Sequence, residues 1–235
     1  MPFPLTRRAV LAGLASLTAC GPTRLEPLGG PPRGRVILLR GLANMFSTGL
    51  NFLTARLRQA DFDASVHNYL EWDDLAAAVV RAARAGTLVR PFALMGHSYG
   101  ADDAIVMANA LGRQGVATDL LVTFDPTEGD DVGPGVLRVL NFDQDRDSDF
   151  RRTLAAGPGF TGTLENRLVN GESHLSIEKQ DRLHAEVIAL MQALAAQRQA
   201  SAAPTPARPA PPRPRPAAAP PLPPVPPAPP VRARR

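Results

Sequence analysis

The chain predicts an α/β fold: a mostly parallel sheet with helices on both faces. Three observations predict it. Short apolar runs with the length of buried strands alternate with longer segments of helical periodicity. One such run, residues 91–95, meets a helical segment, residues 101–111, across a glycine-rich pentapeptide, so strand, tight turn and helix follow directly. Finally, a hydrophobic content of 44% in 235 residues is enough to build one sizeable core.

The elements follow in order. Residues 35–39 (Arg-Val-Ile-Leu-Leu) read as the first strand. Residues 48–59 read as a helix with Leu50, Leu53 and Leu57 on one face and Ser47 as its N-cap. A weaker strand at 64–69 precedes an alanine-rich helix at 73–85, which Gly86 ends. The central strand and helix come next, at 91–95 and 101–111. Residues 119–124 and 136–141 are two more strands, and 166–170 the last. Between them, 143–164 is polar and irregular. A long helix over 176–199 closes the body. No internal repeat is visible.

Both ends differ from this body. Residues 1–20 have a basic start with Arg7-Arg8, then an apolar run, then Leu17-Thr18-Ala19-Cys20. The run is too short to span a bilayer but suits a secretory signal. Its last four residues resemble the bacterial lipobox, whose cysteine becomes the lipidated first residue of the mature protein. Cys20 is the only cysteine, and its lipidation explains a lone thiol in an exported chain. Thr6-Arg7-Arg8-Ala9-Val10-Leu11 resembles a twin-arginine export signal. The expectation is a lipoprotein facing the periplasm, held to the membrane through an N-terminal lipid anchor. A Pro/Gly-rich linker follows over 21–34, then the folded domain over 35–200.

Residues 201–235 are almost entirely proline, alanine and arginine, a composition that favours extended polyproline II over helix or sheet and reads as a disordered tail. It serves as a solvated spacer, or its six arginines touch an anionic envelope surface. Two arginines in the leader and six in the tail account for eight positive charges. The whole chain carries +4, so the body carries −4. The high pI therefore belongs to the ends, and nothing suggests nucleic-acid binding by the domain.

The pentapeptide is Gly96-His97-Ser98-Tyr99-Gly100, which fits G-x-S-x-G, the nucleophile elbow. The turn needs small flanking residues, lifts the serine hydroxyl out of the sheet and sets the following N–H groups at a helix N-terminus. A serine hydroxyl also needs a base and an acid to orient that base. Of four histidines, His67 and His97 precede the serine, and His184 sits mid-helix, where it reads as covering surface. His174, in a loop between the last strand and the closing helix, stands where the base belongs. For the acid, Asp125 at the tip of the strand after the elbow helix is preferred, with Asp143 and Asp145 as alternatives.

Asp143, Asp145, Asp147 and Asp149 form an alternating run that reads as a solvated loop. It lacks the glycine and glutamate of a calcium loop. The oxyanion hole needs two backbone donors. Tyr99 N–H is one, and Leu42 N–H, in the loop after the first strand, is the other, with Ala43 as runner-up and the Asn44 side chain a further option. Asp102 and Asp103 are read as favouring the helix N-terminus.

At these residues, over roughly 35–199, the chain resembles the α/β-hydrolase superfamily, and within it the thioesterase and lipase-like branch. Gly96-His97-Ser98-Tyr99-Gly100-Ala101 is similar to the elbow of that branch, whose thioesterase domains often carry their acid where Asp125 stands. The chain departs from the pattern in two places. Arg40-Gly41 replaces the usual His-Gly of the oxyanion loop, and the stretch between Asp125 and His174 has no room for a large helical lid. The resemblance implies an open, shallow site that cleaves an ester or thioester of a small molecule or lipid through an acyl-enzyme, with no metal or organic cofactor. Location favours oxygen esters. The rival readings are an acyltransferase, a peptidase, and a non-catalytic envelope lipoprotein that binds through the same scaffold.

Overall fold

The computed structural model describes residues 27–42, 47–149 and 152–202. The expectations for Cys20, the leader, Ala43, Asn44 and most of the proline-rich tail lie outside them. The strands are β1 (Arg35–Arg40), β2 (Asp63–Asn68), β3 (Phe92–His97), β4 (Leu120–Phe124), β5 (Arg138–Gln144) and β6 (Thr163–Val169). They form one wholly parallel sheet in the order β2-β1-β3-β4-β5-β6. The helices are α1 (Gly49–Gln59), α2 (Trp72–Arg84), α3 (Tyr99–Arg113) and α4 (Asp181–Ala202).

Successive strand residues face opposite sides, so a strand buried on both faces feeds two cores. Val36 and Leu38 of β1 pack with Leu50, Leu53 and Leu57 of α1 and Leu183, Val187 and Met191 of α4. Ile37 and Leu39 pack with Val79 and Val80 of α2 and Ile105, Met107 and Leu111 of α3. Two helices thus cover each face, as the alternation of elements predicts. The edge strands are the least buried. In β6 only Val169 is fully covered, and Arg167 pairs with Glu165 and Glu186. Charge on an exposed edge discourages pairing with other chains.

The strand order reverses between β1 and β3, so their following loops part and leave a crevice at the carboxyl edge of the sheet. The residues after these two strands are the oxyanion loop and the elbow. Among the described residues no helix lies between β4 and β6.

Four local expectations need correction. Ser47 is not the N-cap of α1; Thr48 holds that place without a side-chain bond, and Ser47 is used elsewhere. His184 does not cover surface. It is buried against Glu178, where its Nε2–H donates to the Glu178 carbonyl at 2.7 Å. The last strand begins three residues early, at Thr163, because Thr163, Leu164 and Glu165 pair with Arg138, Val139 and Leu140 of β5. The closing segment opens with a separate 3-10 turn, Ile177–Lys179, before α4.

That turn buries the Glu178 carboxylate at the N-terminus of α1, facing the N–H groups of Gly49 and Leu50, with Lys179 Nζ at 3.4 Å. Neither carboxylate oxygen has a well-formed hydrogen bond, so burial outweighs these attractions and pushes its pKa from 4.5 up to about 7. A raised folded-state pKa means the protonated acid stabilises the fold. That contribution is complete below pH 4.5 and is lost as pH rises through about 7. In urea unfolding at several pH values, Glu178→Gln should therefore flatten the fall in stability across this window. An unchanged pH slope would contradict the assignment.

Candidate active site

Ser98 sits between β3 and α3 with φ 57° and ψ −133°, a conformation that L-residues rarely adopt. The turn closes through the backbone of its neighbours. A Cβ on Gly96 would run into the Gly100 carbonyl, and one on Gly100 into the Leu39 carbonyl of β1. Both positions must be glycine for the elbow to seat on the sheet. The Ser98 carbonyl accepts the first helical bonds, from Ala101 and Asp102, and its N–H donates to Phe124 O at 3.1 Å.

The structure brings Ser98, His174 and Asp125 together. Ser98 Oγ lies 3.0 Å from His174 Nε2, and His174 Nδ1 lies 2.6 Å from Asp125 Oδ2. A carboxylate can only accept, so Nδ1 carries the proton and the Nε2 lone pair faces the serine hydroxyl. Asp125 is fully buried. Desolvation raises its pKa, and the His174 ring and the Gln144 N–H oppose that rise. It too has a positive φ, 49°, in the turn after β4, while its N–H donates to Phe142 O of β5 at 2.9 Å.

The other aspartates do different work. Asp143 is buried rather than solvated, because β5 runs on to Gln144; it accepts from Asn141 Nδ2 at 3.2 Å. Asp145 Oδ1 accepts from the Gly171 N–H at 2.8 Å, which ties down the loop leading to His174. Asp102 does more than favour a helix end. Its buried carboxylate accepts from the Thr127, Glu128 and Gly129 N–H groups at 3.1–3.3 Å and from the Thr127 hydroxyl. It pins the segment after Asp125 to the first turn of α3. A carboxylate two residues past the elbow glycine is visible in the sequence, but its partners are not.

A cavity of about 270 Å³ opens onto Ser98 and is lined by Leu42, Tyr99, Thr127, His174 and Leu175. Leu42 and Leu175 are half exposed, and the Tyr99 ring stacks on Tyr69 with centroids 6.0 Å apart. Both expected oxyanion donors, Tyr99 and Leu42, thus border the space next to the serine. His97, which sequence reasoning set aside, is buried within the same wall.

No protein-family model matches the chain, and no curated protein matches it in sequence. Solved structures match it in fold. An esterase from Pyrobaculum calidifontis superposes with a TM-score of 0.52 at 10% identity over 73% of this chain and 79% of its own. The fold is that of an α/β-hydrolase. Two further structures of similar shape are esterase PE8 (TM-score 0.49, 14% identity, 72% of this chain and 96% of its own) and the RedJ thioesterase of the prodiginine pathway in Streptomyces coelicolor (TM-score 0.46, 16% identity, 73% and 98%). On this fold the serine follows the central strand, and the histidine follows the last one, on the same edge of the sheet.

Asp102→Ala would remove the acceptor shared by the Thr127, Glu128 and Gly129 N–H groups. The expected cost is about 1–3 kcal/mol in urea unfolding. Wild-type stability in this variant would show that the pinned segment does not depend on Asp102.

Proposed function

We propose that the chain is a serine hydrolase that cleaves carboxylic esters, or thioesters, through an acyl-enzyme. Ser98 is the nucleophile, His174 the base and Asp125 the acid that orients it. The observation that carries this reading is the unbroken relay from Ser98 Oγ through His174 to Asp125, on a serine whose backbone is held in the strained elbow conformation.

As Ser98 Oγ attacks the carbonyl carbon, its proton passes to His174 Nε2, and the buried Asp125 carboxylate stabilises the imidazolium. The tetrahedral oxyanion is received by the Tyr99 and Leu42 N–H groups. His174 then protonates the departing alkoxide or thiolate. Water, activated by the same ring, releases the acid and restores Ser98; an acceptor alcohol in place of water would make the reaction an acyl transfer.

Two features favour a neutral, apolar ester. The described residues lining the cavity include no lysine or arginine to receive phosphate groups. Glu128 and Asp130, just beyond the cavity residue Thr127, lie close enough to Asp102 and Asp103 that, after burial, their charges help push the Asp103 pKa up to about 6, and this group of carboxylates disfavours anionic substrates. The export reading agrees. A lipid-anchored enzyme facing the periplasm meets oxygen esters rather than cytoplasmic carrier-bound thioesters.

On p-nitrophenyl esters, Ser98→Ala should lose at least about a thousandfold in kcat with the fold intact. Asp125→Asn should lose roughly a hundredfold to ten-thousandfold. Full activity in Asp125→Asn, with loss in Asp143→Asn, would transfer the acid role to Asp143. For the anchor, metabolic labelling with an alkyne fatty acid should mark the wild type and fail in Cys20→Ser. Equal labelling of both would refute lipidation at this cysteine.

A further inference from the structure

The residue between the elbow glycine and the serine is a histidine with two buried bonds. His97 Nε2 lies 2.8 Å from the His174 carbonyl oxygen, and His97 Nδ1 lies 2.8 Å from Ser47 Oγ. Ser47 Oγ also receives the Gly41 N–H at 2.9 Å. Proton placement follows from the partners. A carbonyl can only accept, so Nε2 bears the hydrogen, and Nδ1 takes the Ser47 hydroxyl proton. Every polar atom in this chain then has a matched role: Gly41 N–H to Ser47 Oγ, Ser47 O–H to His97 Nδ1, and His97 Nε2–H to His174 C=O.

The two ends of the chain are informative. Gly41 precedes Leu42, the proposed oxyanion donor, and its α-carbon is pressed so close to the elbow that a Cβ there would lie 2.9 Å from the Ser98 Cβ. His174 is the proposed base, and its ring lies 4.9 Å, centroid to centroid, from the His97 ring. Both residues stand in segments without regular secondary structure, where helix or sheet bonding does not set the backbone.

We propose that His97 is a positioning residue that holds the oxyanion loop and the base loop in register with Ser98 through this single hydrogen-bonded chain. The inference rests on the serine-hydrolase reading and deepens it. His97 touches no substrate atom in this account. It acts by fixing where the Leu42 N–H and the His174 ring stand. Burial, and then the neighbouring His174, push its pKa down to about 3, so the neutral tautomer the chain requires persists at every pH at which the base could work.

Two substitutions separate the arms. The amide of Asn reaches only as far as Nδ1, whereas that of Gln reaches the position of Nε2. His97→Gln keeps the bond to the His174 carbonyl, whereas His97→Asn and His97→Leu lose it. For p-nitrophenyl ester hydrolysis, kcat should fall by on the order of tenfold to a hundredfold in His97→Asn and His97→Leu, with KM little changed, and recover in large part in His97→Gln. Ser47→Ala, a milder change, should lower kcat as well, and its effect should not multiply with that of His97→Leu, because both cut one chain. Thermal unfolding of each variant accompanies the kinetics.

Wild-type kcat in folded His97→Leu would overturn the proposal, as would multiplicative losses in the double variant or no recovery in His97→Gln. An inactive wild type would overturn the hydrolase reading and this one together. An active wild type with indifferent His97 variants would overturn this one alone.

Discussion

The site depends on a backbone contact rather than on any catalytic side chain. Ser98 occupies a conformation that costs about 1–3 kcal/mol, and it can do so only because Gly96 and Gly100 let the strand and helix backbones meet while Gly100 presses on the Leu39 carbonyl of β1. That contact fixes β3 beside β1 and sets the start of α3. It also aligns the neighbouring turn: the Ser98 N–H bonds the Phe124 carbonyl, and the next residue is Asp125. The proposed nucleophile and acid are thus one peptide bond and one hydrogen bond apart through the main chain. The extensive two-sided core, with Leu38, Leu39, Leu94 and Met95 wholly buried, opposes the strain.

Around this turn polar side chains tie the connecting segments together. The buried Asp102 holds 127–129, the buried His97 joins Ser47 to His174, and the exposed Asp145 holds Gly171. A buried polar group without a partner is costly, so each such group favours the loop arrangement that satisfies it. This is how a sheet edge made of irregular segments can hold a relay to within hydrogen-bond distance. The price of the design is visible at Glu178, whose carboxyl is pushed up to about 7 because its surroundings solvate it poorly.

Much of this was legible in the sequence. The parallel sheet and its two-sided covering follow from apolar runs alternating with helical periods. That Ser98, His174 and Asp125 meet was legible from the elbow glycines, the loop after the last strand and the tip of the strand that follows the elbow helix, with Asp143 and Asp145 standing as alternatives for the acid. What was not legible depends on partners distant in sequence. Ser47 looks like a helix cap because it precedes a helix, yet its partners are 6 and 50 residues away. His184 reads as surface because nothing local says that Glu178 will stand beneath it. Asp143 reads as solvated because its alternating acidic neighbours hide the end of a buried strand. His97 was passed over because it precedes the serine in the chain, and triad order says nothing about residues that support the triad.

The central claim is that Ser98 is an activated nucleophile, and a covalent probe tests it most directly. A fluorophosphonate incubated with the wild-type protein, followed by mass mapping of the adduct, should place the label on Ser98 and nowhere else, with the rate collapsing in His174→Ala. A folded protein that takes up no label, or takes it up at another residue, would contradict the account.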